Sequence, residues 1–394
     1  MNSIYVKSLR AGNRFSKPVY VDETNILVQE NIPIKQKDID RLTRWGIKAV
    51  QTEGLLLSEK EIAQAGEAAG GPVNSSSDNV SFVNYMDSPV QQEILKVYKQ
   101  LLEQLQRIHE DVRDQKPVEN TSVNKILDSL LDLLAKHRDD LIQLVFFGIP
   151  GESDMAQNSL NTAILAHIVG SGMNMYPHKL NQLVISALLH DLGMVKVPPA
   201  ILAKKGKLEE EELSKVRAHT AHSYRIITRE LGYPEDIGLA ALHHHERWDG
   251  EGYPKKYVGK QINLYARIVA VLDAFVAMIS DRPYRDSMIG YTAMRSILSD
   301  NGRRFDPEIL RIFIRCMGIY PLGSIVLLST SCIGRVIENN PEAPLRPKVK
   351  LMIDKNGAML DNNKAEIIDL NNEKKIFIAK AVDPKGLLKQ TARE

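Results

Sequence analysis

The chain has 394 residues, 43% of them hydrophobic and 25% charged, and its 51 basic and 49 acidic residues leave a formal net charge of +2. So even a balance gives no electrostatic footprint for a nucleic-acid polymer or an anionic membrane, and an anionic ligand must be met by local groups. Two cysteines without CxxC spacing, Cys316 and Cys332, a polar start (MNSIYVKSLRAG) and no apolar run near the roughly 18 residues of a membrane span lead us to expect a cytoplasmic protein without disulfides.

In chain order, residues 1–57 carry short β-prone runs (SIYVKSL, KPVYV, NILVQ) and then a helical pattern ending at Gly46, which predicts a small α+β domain. Residues 58–90, including AGEAAGGPVNSSSDN, are too poor in apolar residues to offset the entropy of ordering and read as a flexible linker. Apolar residues recur at helical spacing through 91–148, predicting long amphipathic helices that lead into the core and are candidates for pairing two chains. Helical periodicity continues through 149–317, broken at YPHK, VPPA, GYPED and GEGYP, so a central all-helical domain is expected with its polar chemistry at helix ends. In 318–394, GSIVLLS, IGRVIEN, PKVKLMID and KKIFIAKAV alternate with turns, predicting a small β-barrel-like domain.

Six of the ten histidines fall between His190 and His245. A lone histidine is usually a surface or satisfied core residue, but these stand in a pattern. His190 and Asp191 are adjacent where the apolar LVISALL ends at HDLG, and a carboxylate behind such a run is costly unless a metal or an arginine meets it. His244 and His245 lie near the end of IGLAALHHHE, before the glycine-permitted turn DGEGYP. Asp273 interrupts RIVAVLDAFVAMI, as a ligand or a buried ion-pair partner. With His219, four separated segments supply imidazole or carboxylate. Mixed nitrogen and oxygen donors suit Fe, Mn, Zn or Co, and more than four of them suit two metals rather than one structural zinc.

The order HD, H, HHERWDGEGYP, D and SDRPYR, over about residues 150–317, resembles the HD-GYP family, bacterial phosphohydrolases that open cyclic dinucleotides, above all cyclic di-GMP. The resemblance implies that His190, Asp191, His219, His244, His245 and Asp273 ligate two divalent metals, Fe first with Mn or Zn as alternatives. Asp191 would be the bridge, and hydroxide held between the metals would attack phosphorus. It implies an enzyme, a cyclic di-GMP phosphodiesterase releasing pGpG or GMP, with diguanylate cyclase-type signalling proteins as candidate partners.

In this reading Arg282 and Arg285 offer forked donors to phosphate, though an interhelical salt bridge would use the same residues. Gly252 and Tyr253 wall the pocket, Glu246 and Asp249 orient ligands or loop amides, and His222 and His243 have no assigned role. Two positions depart from the family pattern. Asn158, in NSLNTA, stands where a ligand histidine is usual, and Met194, in HDLGM, stands where a lysine meets the substrate phosphate. Asp154, one turn earlier, is a further candidate oxygen ligand. The departures motivate an alternative, a catalytically degenerate module that binds a cyclic dinucleotide or a protein; another phosphohydrolase activity is a weaker third.

Overall fold

The computed structural model describes residues 2–10, 12–17, 19–20, 26–28, 34, 39, 49–56, 88–147, 154–204, 206–280, 288–361 and 365–382, in two compact units, 1–80 and 81–394. In the first unit, strands β1 (Asn2–Tyr5), β2 (Val19–Tyr20), β3 (Ile26–Val28) and β4 (Ala49–Thr52) form an antiparallel sheet in the order β1-β4-β2-β3. Val6, Leu9, Phe15, Val19, Ile34 and Val50 make its core. Most of the expected helix before Gly46 lies outside the described residues, as does the expected linker over 58–90 except for residues 88–90, which cap and begin the next helix.

The second unit begins at α1 (Pro89–Arg113), where Ser88 accepts from the Gln91 amide in a capping box that satisfies two helix-end donors. Ile94, Tyr98, Leu101, Leu105, Ile108 and Val112 recur every three or four residues and are all buried, which lays one face of α1 against α2 (Asn120–Phe147) and α3 (Met155–Gly172). The expected amphipathic helices thus bury their apolar stripes within the chain. Helix α2 is kinked at His137 (φ −136°, ψ 39°).

Helix α3 is apolar almost all round, with Leu160 to Ala166 buried without a break, so it can only be central. Around it pack α4 (Pro177–Leu189) and α8 (Leu264–Ile279), with α5 (Glu210–Arg217), α6 (His219–Arg225) and α7 (Glu235–His243) between them in sequence; α9 (Gly290–Ser299) and α10 (Pro307–Met317) follow α8. Each fully buried leucine or isoleucine here contributes about 1.5–3 kcal/mol. None of the described helices is long and apolar enough to cross a membrane.

Helix α10 ends at Gly318 (φ 73°), where Asn339 Nδ2 donates to the Met317 carbonyl at 2.7 Å, and Tyr291 stacks on Tyr320 at 4.8 Å. Strands β5 (Ile325–Leu328), β6 (Ile333–Glu338), β7 (Lys348–Ile353), β8 (Ile367–Asp369) and β9 (Ile378–Val382) follow, all antiparallel, in the order β8-β7-β6-β5-β9. The expected barrel-like domain is therefore an open sheet. Closure would pair β8 with β9, but β8 has only three residues, and its Ile367 is 54% exposed at a free edge.

Candidate metal centre

Three helix ends and the interior of a fourth helix converge on one cluster. Helix α4 stops at His190, and a 3-10 turn over Leu192–Lys196 begins beside Asp191. That turn lies so close to α6 that a methyl group on Gly193 would collide with the His219 carbonyl and come within 2.5 Å of the Ser223 amide nitrogen. Only glycine permits this approach, and Ser223 Oγ fixes it by accepting from the Gly193 amide at 2.8 Å. His219 opens α6, His244 and His245 follow the end of α7, and Asp273 lies within α8.

Three of the histidines share one geometry. His190 Nδ1 meets the Ala187 carbonyl at 2.8 Å, His219 Nδ1 the Val216 carbonyl at 2.6 Å, and His244 Nδ1 the Ala241 carbonyl at 2.7 Å. A carbonyl only accepts, so in each case Nδ1 carries the proton. In the neutral ring the lone pair then sits on Nε2 and points inward. Asp191 Oδ1 lies 3.3 Å from His219 Nε2 and 3.4 Å from His244 Nε2; Asp191 Oδ2 is 3.5 Å and Asp273 Oδ1 3.7 Å from His190 Nε2.

The ligating atoms form two overlapping groups, Asp191 with His219, His244 and His245, and Asp191 with His190 and Asp273, within each of which all atoms lie inside 4.8 Å of one another. Asp191 alone belongs to both. His219 Nε2 and His244 Nε2 stand 3.4 Å apart, and the buried His190 Nε2 and Asp191 Oδ1 have no hydrogen-bond partner. Facing lone pairs and an orphaned carboxylate oxygen are costly alone and are what a cation satisfies. The donor set therefore fits metal ions.

The electrostatics agree. Burial opposes a charge on His190, but Asp191 and Asp273 outweigh it and raise its pKa to about 9. Burial opposes ionisation of Asp191 too, yet His190, His219 and His244 hold it well below the carboxylate range. Asp273 is lowered by His190 against the same burial. Burial pushes His245 well below the ordinary imidazole value.

The structure thus brings together all six residues that the family resemblance implies as ligands. Asn158 lies on α3, where its Oδ1 accepts from Ser280 Oγ at 2.9 Å, tying α3 to the end of α8. Asp154 caps α3, its carboxylate accepting from the Gln157 amide at 2.7 Å and Gln106 Nε2 at 2.5 Å, and it is outside both ligand groups. Met194 sits half-buried in the turn after Asp191. Arg282 and Arg285 lie outside the described residues.

The loop after the histidines is held from below. Glu246, 3% exposed, accepts from the Lys255 amide at 2.5 Å and the Tyr257 amide at 3.1 Å, so it orients loop amides. Asp249 pairs with Arg247 at 2.6 Å and accepts from the Glu251 amide at 3.1 Å. A side chain on Gly252 would meet the His245 carbonyl at 2.6 Å. The Tyr253 ring stacks on His245 with centroids 4.9 Å apart, and the Arg217 guanidinium lies 5.3 Å from its centroid. His243 is buried and packs edge-on to Tyr257, while His222 is half-buried against Gly193.

Sequence reading missed Arg217, Ser223 and His109. The first two carry no signal until the loop and the turn are folded against α6. His109, 5% exposed on α1, lies in a helix that reads as a plain amphipathic stripe.

With this geometry in hand, residues 123–309 match the HD domain family and residues 325–390 the KOW domain associated with HD domain. A Pseudomonas aeruginosa protein named cyclic di-GMP phosphodiesterase PA4108 is 32% identical over 61% of this chain and 58% of its own length, so the match spans little more than half of that relative. A Borreliella burgdorferi protein named cyclic di-GMP phosphodiesterase PdeB is 25% identical over 87% of this chain and 86% of its own. A Xanthomonas campestris protein named cyclic di-GMP phosphodiesterase response regulator RpfG is 28% identical over 62% of this chain and 64% of its own.

Proposed function

Because this chain is an HD-domain protein of the HD-GYP type, we propose that it hydrolyses cyclic di-GMP at a centre of two divalent metals, iron first, releasing pGpG or GMP. The observation that carries the reading is the shared carboxylate: Asp191 joins a three-histidine group to the His190–Asp273 pair, an arrangement suited to two cations and wasteful for one. When bound, such a pair activates water and neutralises charge on the entering and leaving oxygens of a phosphodiester.

The residues of the chain do the rest. Backbone carbonyls at Ala187, Val216 and Ala241 fix the tautomer and ring orientation of the three histidines, so no rearrangement is needed when ligands are presented. Asp273 and Asp191 offset the cationic charge. Glu246 holds the GEGYP loop so that Tyr253 stays stacked on His245 at the rim of the pocket, where a base or ribose of the dinucleotide would lie. Arg282 and Arg285 are assigned to the substrate phosphates in the same reading.

The amide of Asn158 and the thioether of Met194 remove one imidazole and one cation from the family pattern, and they bear on rate more than on the existence of the centre, since the six clustered ligands do not include them. Anaerobic turnover of cyclic di-GMP by iron- and manganese-loaded protein is the test. Hydrolysis should fall by more than about 100-fold in Asp191→Ala, beyond the effect of losing a group that merely orients a ligand. A fully metallated wild type that binds cyclic di-GMP without opening it would replace this reading with the binding-module alternative.

A further inference from the structure

Helix α1 precedes the candidate ligand segments in sequence, yet it is fastened both to the start of α3 and to the turn that follows Asp191. Gln106 Nε2 donates to Asp154 at the start of α3, and the Val112 carbonyl accepts from Lys196 Nζ at 2.6 Å, at the end of the turn that carries Asp191 and Met194. Residues 106, 109 and 112 are spaced by three and share one helix face. His109 lies between those two anchored residues on α1, the helix that packs against both α3 and the turn after Asp191. It is 5% exposed, its Nε2 is buried without a hydrogen-bond partner, and the charges of Asp154, Asp191 and His190 all act on it.

A buried ring nitrogen with no partner in the protein calls for one from outside it. Among the described residues, His109 is not part of either group of ligating atoms that cluster within 4.8 Å, so it stands outside the ligand shell. What remains for it to meet is what the ligands present. Resting on the phosphodiesterase reading above, we propose that His109 is a substrate-binding residue: its Nε2–H donates a hydrogen bond to a phosphate oxygen of the cyclic dinucleotide, a donor that the Met194 thioether does not supply. Burial holds the ring neutral, with its pKa lowered to about 4, and a neutral imidazole retains one N–H for this contact.

Inorganic phosphate is the probe, measured on zinc-loaded full-length protein. His109→Phe keeps the ring volume and removes the donor; His109→Gln keeps an N–H. His109→Phe should retain wild-type zinc content, bind phosphate about tenfold more weakly and raise KM for cyclic di-GMP by a similar factor, whereas His109→Gln should stay within about threefold of wild type. Unchanged phosphate affinity in His109→Phe, or loss of zinc at an unchanged unfolding midpoint, overturns the proposal. In wild type labelled with 15N-histidine, the His109 Nε2 resonance should move when phosphate saturates the zinc-loaded protein, and an unmoved resonance overturns it without any substitution. Phosphate binding requires no turnover, so a wild type that binds phosphate through His109 but opens no dinucleotide would sink the phosphodiesterase reading alone.

Discussion

His190 is the residue whose chemistry depends most on its two neighbours. Its pKa of about 9 in the fold exceeds the ordinary 6.5, so the proton it holds stabilises the metal-free fold fully below pH 6.5, and that stabilisation is lost as pH rises through 9. The same proton must leave before a metal can bind. Apparent zinc affinity of the metal-free protein should therefore rise by up to about tenfold per pH unit from 7 to 9 and then level off, which competition with a chelator of known affinity would measure; a flat profile would contradict the role given to His190. Glu246 is a second test at this scale. Its removal takes the acceptor from the part-buried amide bonds of Lys255 and Tyr257, so Glu246→Ala should cost about 1–3 kcal/mol in denaturant unfolding, the scale of losing hydrogen bonds to a charged acceptor that water replaces in part.

At the scale of elements, the centre exists because the 3-10 turn after α4 lies directly on α6. Gly193 makes that contact possible, and the added methyl of Gly193→Ala would force the turn off the α6 backbone. The expected cost is about 1–3 kcal/mol of overpacking, with metal content falling well below wild type because Asp191 moves with the turn. A variant that kept full metal occupancy would show that the turn tolerates the shift. The opposite flank is held by Arg267 of α8, which pairs with Asp306 at 2.7 Å while Asp306 also caps α10 through the Glu308 amide. These contacts set where α8 lies along its axis, and with it Asp273. The open C-terminal sheet shows where pattern reading stops at this scale. Alternating hydrophobicity identified the strands, but closure depends on pairing partners and strand length, and the three-residue β8 leaves the sheet with an edge.

For the whole molecule, the division near residue 80 places every candidate ligand, the carbonyls that orient three of them, and His109 in the second unit. Protein lacking residues 1–80 should hold the same number of metal ions per chain as full-length protein, by elemental analysis after loading; a lower number would show that the first unit takes part in the centre. Much of this organisation is legible in the chain itself. Most of the candidate ligands could be read because they end or interrupt an apolar run, as Asp273 does in RIVAVLDAFVAMI, and burying such a group is costly enough to demand a reason; His219, in the polar SKVRAHTAHSYR, carries no such signal, and its role as a ligand came with the family resemblance. Asn158 and Met194 could be read as departures only because the surrounding pattern is otherwise intact. Which nitrogen of His190, His219 and His244 faces the centre, that Asp191 belongs to both ligand groups, and that α1 packs on the turn after Asp191 were decided by tertiary structure alone. Those properties depend on hydrogen bonds and contacts between segments far apart in sequence, and helical or strand periodicity records only which face of an element is buried, not what it is buried against.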